Sequence, residues 1–266
     1  MLGAIIGDIV GSRFEWHNYR AKDFEFFSNK CYVTDDSIMS LAVCEALCEA
    51  GDDYTHLGEI TVKAMQRIGR PYPHCGYGGA FLHWMYSDEP TPYGSFGNGA
   101  AMRVSGCGFA AKFLDEAKIL SREVTAITHN HPEGLKGAEA TAVAIFLARQ
   151  GKTQAEIKAH ICEHYYNIDF TLDDIRATYE FNETCQNTVP QALEAFFEAQ
   201  SFEDAIRNAI SIGGDSDTIA AITGGIAEAY FGIPKDLRIK ALSFLDERLS
   251  PILERFEAKF PPKIVN

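Results

Sequence analysis

The chain has 266 residues, 46% of them hydrophobic and 23% charged, a balance that supports a sizeable buried core. Its formal net charge of -13 argues against a protein that grips a nucleic-acid backbone broadly, while small phosphorylated ligands held by metals or amides stay open. Seven cysteines without a Cys-X-X-Cys pair predict reduced thiols and a cytoplasmic setting.

In chain order, Leu2 to Trp16 keeps helical apolar spacing, with Gly3, Gly7 and Gly11 on one face. Glycine inside a helix costs about 0.5–1 kcal/mol relative to alanine, so three in a stripe imply close approach of another backbone or a ligand. Glu15 follows Asp8 by about two helical turns, which would point both the same way; a solvated helix end is the plainer reading of Glu15. The start of the chain lacks a basic region and meets Asp8 early, against a secretory signal. No run reaches the ~20 apolar residues of a membrane span.

Residues 20–33 read as a loop, and Ile38 to Ala50 and His56 to Ile68 as helices. Two glycine-rich loops, Gly76-Tyr77-Gly78-Gly79 and Gly94-Ser95-Phe96-Gly97-Asn98-Gly99, flank a short helical run from Phe81 to Tyr86. Such loops present amides to phosphates or serve only as turns. Ala100 to Phe113 and Ala117 to Ile127 are expected helices. The loop Thr128-His129-Asn130-His131 precedes Pro132 at a first helical position, and the helix runs on through Lys136 to Arg149. Thr153 with Glu156 forms a capping box for a helix to His164. Residues 167–188 look irregular, with a short helix from Leu172 to Tyr179. Pro190 to Glu198, Phe202 to Ile210, Ile219 to Phe231, Leu237 to Phe244 and Pro251 to Phe260 complete a helical chain. No linker divides it, so residues 1–266 are expected to form one all-α domain.

Two acidic stretches stand out, Thr34-Asp35-Asp36-Ser37 and Gly213-Gly214-Asp215-Ser216-Asp217-Thr218, each opening a helix that reads as buried. One aspartate there is an ordinary cap. Four carboxylates brought together would repel and hold protons unless cations joined them, and their oxygen chemistry suits a pair of Mg²⁺ or Mn²⁺ ions rather than Zn²⁺.

With the segment from Gly7 to Glu15, the loop from Gly94 to Arg103 and the pair Thr128-His129, these stretches resemble the ADP-ribosylglycohydrolase family along nearly the whole chain. The resemblance implies an orthogonal helical bundle with a dinuclear Mg²⁺ or Mn²⁺ cleft. By position it makes Thr34, Asp35, Asp36, Asp215, Asp217 and Thr218 metal ligands. Glu15, Asp36 and Asp215 become the catalytic group, with Glu15 the mobile acid. Gly76, Gly78, Gly79, Ser95, Phe96, Gly97 and Asn98 would hold the pyrophosphate and adjoining ribose, and His129 the adenosine side. Ser37 stands where the family usually has threonine, a position expected to lie behind the ligands.

The implied reaction is metal-dependent removal of ADP-ribose from an arginine or similar N- or O-linked acceptor, on a protein or a small molecule. A dimetal nucleotide phosphohydrolase and a non-catalytic ADP-ribose-binding or structural relative are the alternatives. Neither nucleic-acid nor membrane docking is expected, and no motif speaks to oligomeric state.

Overall fold

The computed structural model describes residues 1–265. The chain is all-α. Its helices, in order, are α1 (Leu2–Gly11), α2 (Asp35–Ala50), α3 (Leu57–Gly69), α4 (Gly79–Tyr86), α5 (Gly99–Met102), α6 (Ser105–Ala110), α7 (Leu114–Ala126) and α8 (Pro132–Arg149). They continue as α9 (Gln154–His164), α10 (Leu172–Arg176), α11 (Cys185–Phe197), α12 (Phe202–Ile210), α13 (Ser216–Phe231), α14 (Lys235–Leu242) and α15 (Ser250–Lys259). The extended structure among the described residues is slight. Two-residue strands β1 (Ile233–Pro234) and β2 (Ile264–Val265) pair in parallel, and an isolated antiparallel bridge joins Gly97 to Thr184.

Helix α13 is the centre of the molecule. It packs on α1, α8, α11 and α12, and every residue from Ser216 to Ala229 is buried. A helix apolar on all sides belongs inside a bundle. Helix α8 is similar, with Ala138, Ala140, Ala142 and Ala144 all fully buried.

The glycine stripe of α1 lies against α13. A methyl group added at Gly7 would stand 1.9 Å from the Ala220 carbonyl oxygen, and one at Gly3 would stand 2.3 Å from that of Gly224. At Gly11 it would meet the Asp217 Cα at 2.5 Å. Two helix backbones are therefore in direct contact, and any larger side chain would push them apart. This contact carries the N-terminus of α13, with its acidic stretch, beside the C-terminal end of α1.

Several boundaries differ from the sequence expectation, four of them for reasons the contacts show. Helix α1 ends at Gly11, not Trp16. Beyond it the chain turns through Phe14 N–H to Gly11 and His17 N–H to Phe14 hydrogen bonds, while Arg13 is drawn to Ser28 and the Glu25 carbonyl. Ala100 to Phe113 is broken at Val104, where Arg103 folds its guanidinium back onto the Gly99 carbonyl. Helix α10 stops at Arg176, short of Tyr179, whose side chain reaches forward to the Asn187 carbonyl. Helix α11 starts at Cys185 and carries Pro190 inside it. The sequence expectation starts this helix at Pro190, but the Cys185 and Asn187 amides bond the Phe96 and Thr184 carbonyls and begin it a full turn earlier. The Thr153–Glu156 capping box and the Pro132 helix start occur as expected.

Candidate active site: an acidic cleft between glycine loops

The floor of the site is built from helix starts. Thr34 caps α2, its hydroxyl oxygen accepting from the Asp36 amide at 3.3 Å. The same hydroxyl donates to Asp8 Oδ1 at 2.6 Å. Asp8 Oδ2 accepts from the amides of Thr34 and Ser37, each at 3.1 Å, and from the Ser37 hydroxyl. Asp8 is fully buried, and it clamps the first acidic stretch from behind. Ser37 faces Asp8, not the cleft.

Across from this clamp, Thr218 donates to Asp36 Oδ2 at 3.2 Å, joining the two acidic stretches directly. The other oxygen of Asp36, Oδ1, is buried with no hydrogen-bond partner. Asp215 is held by the Asn98 side-chain amide at 2.6 Å. Glu15, Asp215 and Asp217 each place a carboxylate oxygen within 4.8 Å of the other two. Glu15 arrives there on the turn after α1, half-buried, so turn geometry and not helical phase aims it.

A cavity of about 390 Å³ opens above these groups, within the usual range for a small-molecule site. Asp35, Asp36, Asp215, Asp217, Thr218 and Glu15 line its floor; Gly76, Gly78 and Gly79 form one wall, and Ser95, Phe96, Gly97 and Asn98 another. His129 closes the far end. Of the expected metal, catalytic and substrate-binding residues, Thr34 alone lies off the lining, its hydroxyl engaged by Asp8. Gly76 adopts a φ of 102°, and a methyl there would lie 2.7 Å from Asp35 Oδ1. At Gly78 and Gly79 a methyl would meet no protein atom within 4 Å, so the chain's own packing does not demand glycine there.

Several lining residues gave no signal in the sequence. Phe181, Glu183 and Thr184 come from the stretch read as irregular. They are stitched to the glycine loop by the Gly97–Thr184 bridge and by the Asn98 amide, which donates to the Glu183 carbonyl at 2.7 Å. Tyr93, Phe81 and Arg103 also line the cavity. Arg103 is buried, stacked 4.9 Å from the Phe81 ring centre, and donates to Gly99 and Thr128. Asp8 had a sequence signal, an acid beside a glycine stripe, but its role as clamp needed the fold.

The electrostatics are those of crowded acids. Burial raises the Asp35 carboxyl to about 8, with the charges of Asp8 and Asp215 adding to it. Burial, then Asp215 and Asp8, raises Glu15 to about 7, with Glu183 contributing and a Trp16 hydrogen bond opposing. Asp8 rises to about 6 by burial, against its hydrogen bonds from Ser37 and Thr34. Asp36 and Asp217 are pushed well above the carboxylate range by burial and by neighbouring aspartates. Asp215 is raised less, because hydrogen bonds oppose its burial. Burial, followed by Arg103, holds His129 well below the usual imidazole value and so neutral. Its Nδ1 lies 2.7 Å from the Thr128 hydroxyl.

This donor set fits divalent cations. The oxygens are carboxylates and hydroxyls, Asp36 Oδ1 lacks any partner, and Arg103 is the single lysine or arginine among the lining residues, against six acids. Hard oxygen donors of this kind are what Mg²⁺ and Mn²⁺ take.

An all-α fold with two acidic helix starts meeting beneath glycine loops defines a class of helical protein with a small-molecule cleft. The sequence pattern of the ADP-ribosylglycohydrolase family matches residues 1–262, and the chain belongs to that family, a family of hydrolases. The chain is 24% identical to ADP-ribosylhydrolase ARH3 of Xenopus tropicalis, over 92% of this chain and 91% of that one. With ARH3 of Homo sapiens it shares 26% identity, over 88% of this chain and 84% of the other. The ADP-ribosyl-[dinitrogen reductase] glycohydrolase of Rhodospirillum rubrum is 28% identical, over 84% and 76%. A solved structure described as an ADP-ribosylglycohydrolase-related protein complex superposes with a TM-score of 0.72 at 22% identity, over 97% of this chain and 95% of that one, which speaks for the fold.

Proposed function

We propose that the chain hydrolyses the bond between the distal ribose of ADP-ribose and an N- or O-linked acceptor, using two divalent cations held by Asp35, Asp36, Asp215, Asp217 and Thr218, with Thr34 supporting them. The observation that carries this reading is the unpartnered, buried Asp36 Oδ1 beside Glu15, Asp215 and Asp217, on the floor of a glycine-walled cavity.

Bound cations would offset the crowded negative charge, orient the ribose hydroxyls and position a water. The chain's own groups account for the rest. The first amides of α4, behind Gly78 and Gly79, would serve a pyrophosphate, and the open space at both glycines would let the phosphates approach the backbone. Gly97 and Asn98 hold the opposite wall, and Phe96 and neutral His129 offer ring surface to the adenosine end. Glu15 can take a proton from the attacking water or pass one to the departing acceptor. Cleavage at the anomeric carbon runs through an oxocarbenium-like state, which the Glu15 carboxylate beside the ribose would favour. In balance, water adds its hydroxyl to the anomeric carbon and its hydrogen to the acceptor.

The test is incubation of the protein with ADP-ribosylated peptides in Mg²⁺, in Mn²⁺ and in a chelator. Free ADP-ribose in the metal arms alone is the expected product. Release of AMP or phosphate, or turnover that survives chelation, would overturn the reading.

A further inference from the structure

Trp16 is the residue after Glu15, and it is 69% exposed. Its indole is not loose. One face stacks on Phe181 with ring centres 4.9 Å apart and planes 21° from parallel. Phe181 in turn lines the cleft, as does Glu183 two residues on. The stacked pair therefore forms an aromatic ledge at the rim, next to the acid that would meet the departing group. The outer face of the indole is turned to solvent.

The charges along this rim are unequal in their engagement. Glu180 is taken, by Arg20 at 3.0 Å and by the Asn18 amide at 2.9 Å. Arg20 itself is occupied further by the carbonyls of Arg176 and Tyr179. Glu183 is different: its backbone is fixed to Asn98, and among the described residues no basic side chain forms an ion pair with its exposed carboxylate. The rim thus offers a flat aromatic face and a free carboxylate, held in place by the same backbone segment.

A flat cation is what such a pair recognises. An indole attracts a guanidinium over its face, and a carboxylate pairs with the guanidinium edge. A hydroxyl acceptor such as serine brings neither a plane nor a charge to this ledge. Resting on the hydrolase reading above, we infer that Trp16, Phe181 and Glu183 form the acceptor subsite, built for a planar cationic leaving group of the guanidinium class. Trp16 and Glu183 contact the acceptor, and Phe181 positions the indole.

The experiment compares kcat/KM for a peptide ADP-ribosylated on arginine with that for a peptide ADP-ribosylated on serine, in the wild type, Trp16→Ala, Trp16→Phe and Glu183→Gln. The wild type should favour the arginine linkage. Trp16→Ala and Glu183→Gln should each lower the arginine-to-serine ratio roughly 3- to 30-fold, with Trp16→Phe restoring part of the loss. Both side chains are exposed, and calorimetric binding of free ADP-ribose serves as the control for an intact cleft. A wild type that prefers serine, or ratios unmoved by all three substitutions, would overturn the acceptor subsite while leaving hydrolysis standing. Failure of the wild type to release ADP-ribose from either peptide would overturn both readings together.

Discussion

Asn98 reaches across 117 residues of sequence to donate its side-chain amide to Asp215 Oδ2 at 2.6 Å. The same amide group donates to Thr188 at 3.2 Å, and its backbone N–H is fixed to the Glu183 carbonyl. One side chain thus sets the angle of a floor carboxylate relative to the glycine loop. Groups that orient metal-ligating carboxylates typically alter metal affinity 10–100-fold when lost. Asn98→Ala is expected to weaken Mg²⁺ or Mn²⁺ binding by about that factor, and Asn98→Asp more, since it adds a carboxylate to an already crowded cluster. Metal titration followed by calorimetry would decide it, and unchanged affinity in both variants would count against the assignment.

Asp36 carries the second prediction. Its Oδ1 is buried without a partner, so the carboxylate weakens the metal-free fold while serving the site. Asp36→Asn should bring turnover below about 1% of wild type by removing a cation ligand. The same variant should melt no lower than wild type in chelator, and it should lose most of the rise in Tm that Mg²⁺ gives the wild type. A metal-free variant that is markedly less stable would mean Asp36 is structural.

The third concerns pH. Asp8, Glu15 and Asp35 are raised to about 6, 7 and 8 in the fold from ordinary values of 3.8, 4.5 and 3.8. A carboxyl with a higher folded than unfolded pKa binds more protons when folded, so its contribution is full at acid pH and is lost as pH climbs through the folded value. Without metal, this cluster should therefore cost stability progressively between about pH 4 and pH 8. Cations relieve the same repulsion, so the Tm gain from Mg²⁺ should be small at pH 5 and largest at pH 8. Thermal melts with and without chelator across that range would show it; a gain that shrinks as pH rises would refute it.

The fourth tests the helix contact. A methyl at Gly7 has no room, lying 1.9 Å from a backbone oxygen that cannot swing aside. Gly7→Ala should destabilise the protein by about 3 kcal/mol, the upper part of the usual overpacking range. Because α1 carries Asp8 and α13 follows Asp215, metal affinity should fall as well. Gly78→Ala, where a methyl meets no protein atom within 4 Å, should leave Tm within a degree or two of wild type but weaken ADP-ribose binding. Equal melting temperatures for Gly7→Ala and wild type would show that α1 and α13 can separate freely.

Periodicity and caps made most of the helices legible, because Thr153, Glu156 and Pro132 act through neighbours three or four residues away. The glycine stripe was legible for the same reason, as the three residues share a face whatever packs against it. What could not be read was set by distant partners. Helical spacing carries on to Glu15 although the helix ends four residues before it, since the pull of Ser28 and the Glu25 carbonyl on Arg13 leaves no local mark. Helix α11 starts before Pro190 because the Cys185 amide finds the Phe96 carbonyl, 89 positions back in the sequence. Phe181 and Glu183 had no periodicity to betray them. They line the cleft through a bridge to Gly97, and a single bridge is invisible to pattern.

The stripe of Gly3, Gly7 and Gly11 has a consequence for how the site behaves over time. Side chains hop between rotamers and loops breathe, whereas two helix backbones seated on one another have almost no soft coordinate between them. The span from Asp8 on one helix to Asp217 on the other is thus fixed by main chain alone. The main-chain spacing at Asp8 and Asp217 should hold nearly constant with temperature and with substitutions elsewhere, while the rim is held only by a ring stack and a single bridge. The helix pair behaves as a gauge block on which the side chains of the floor are set.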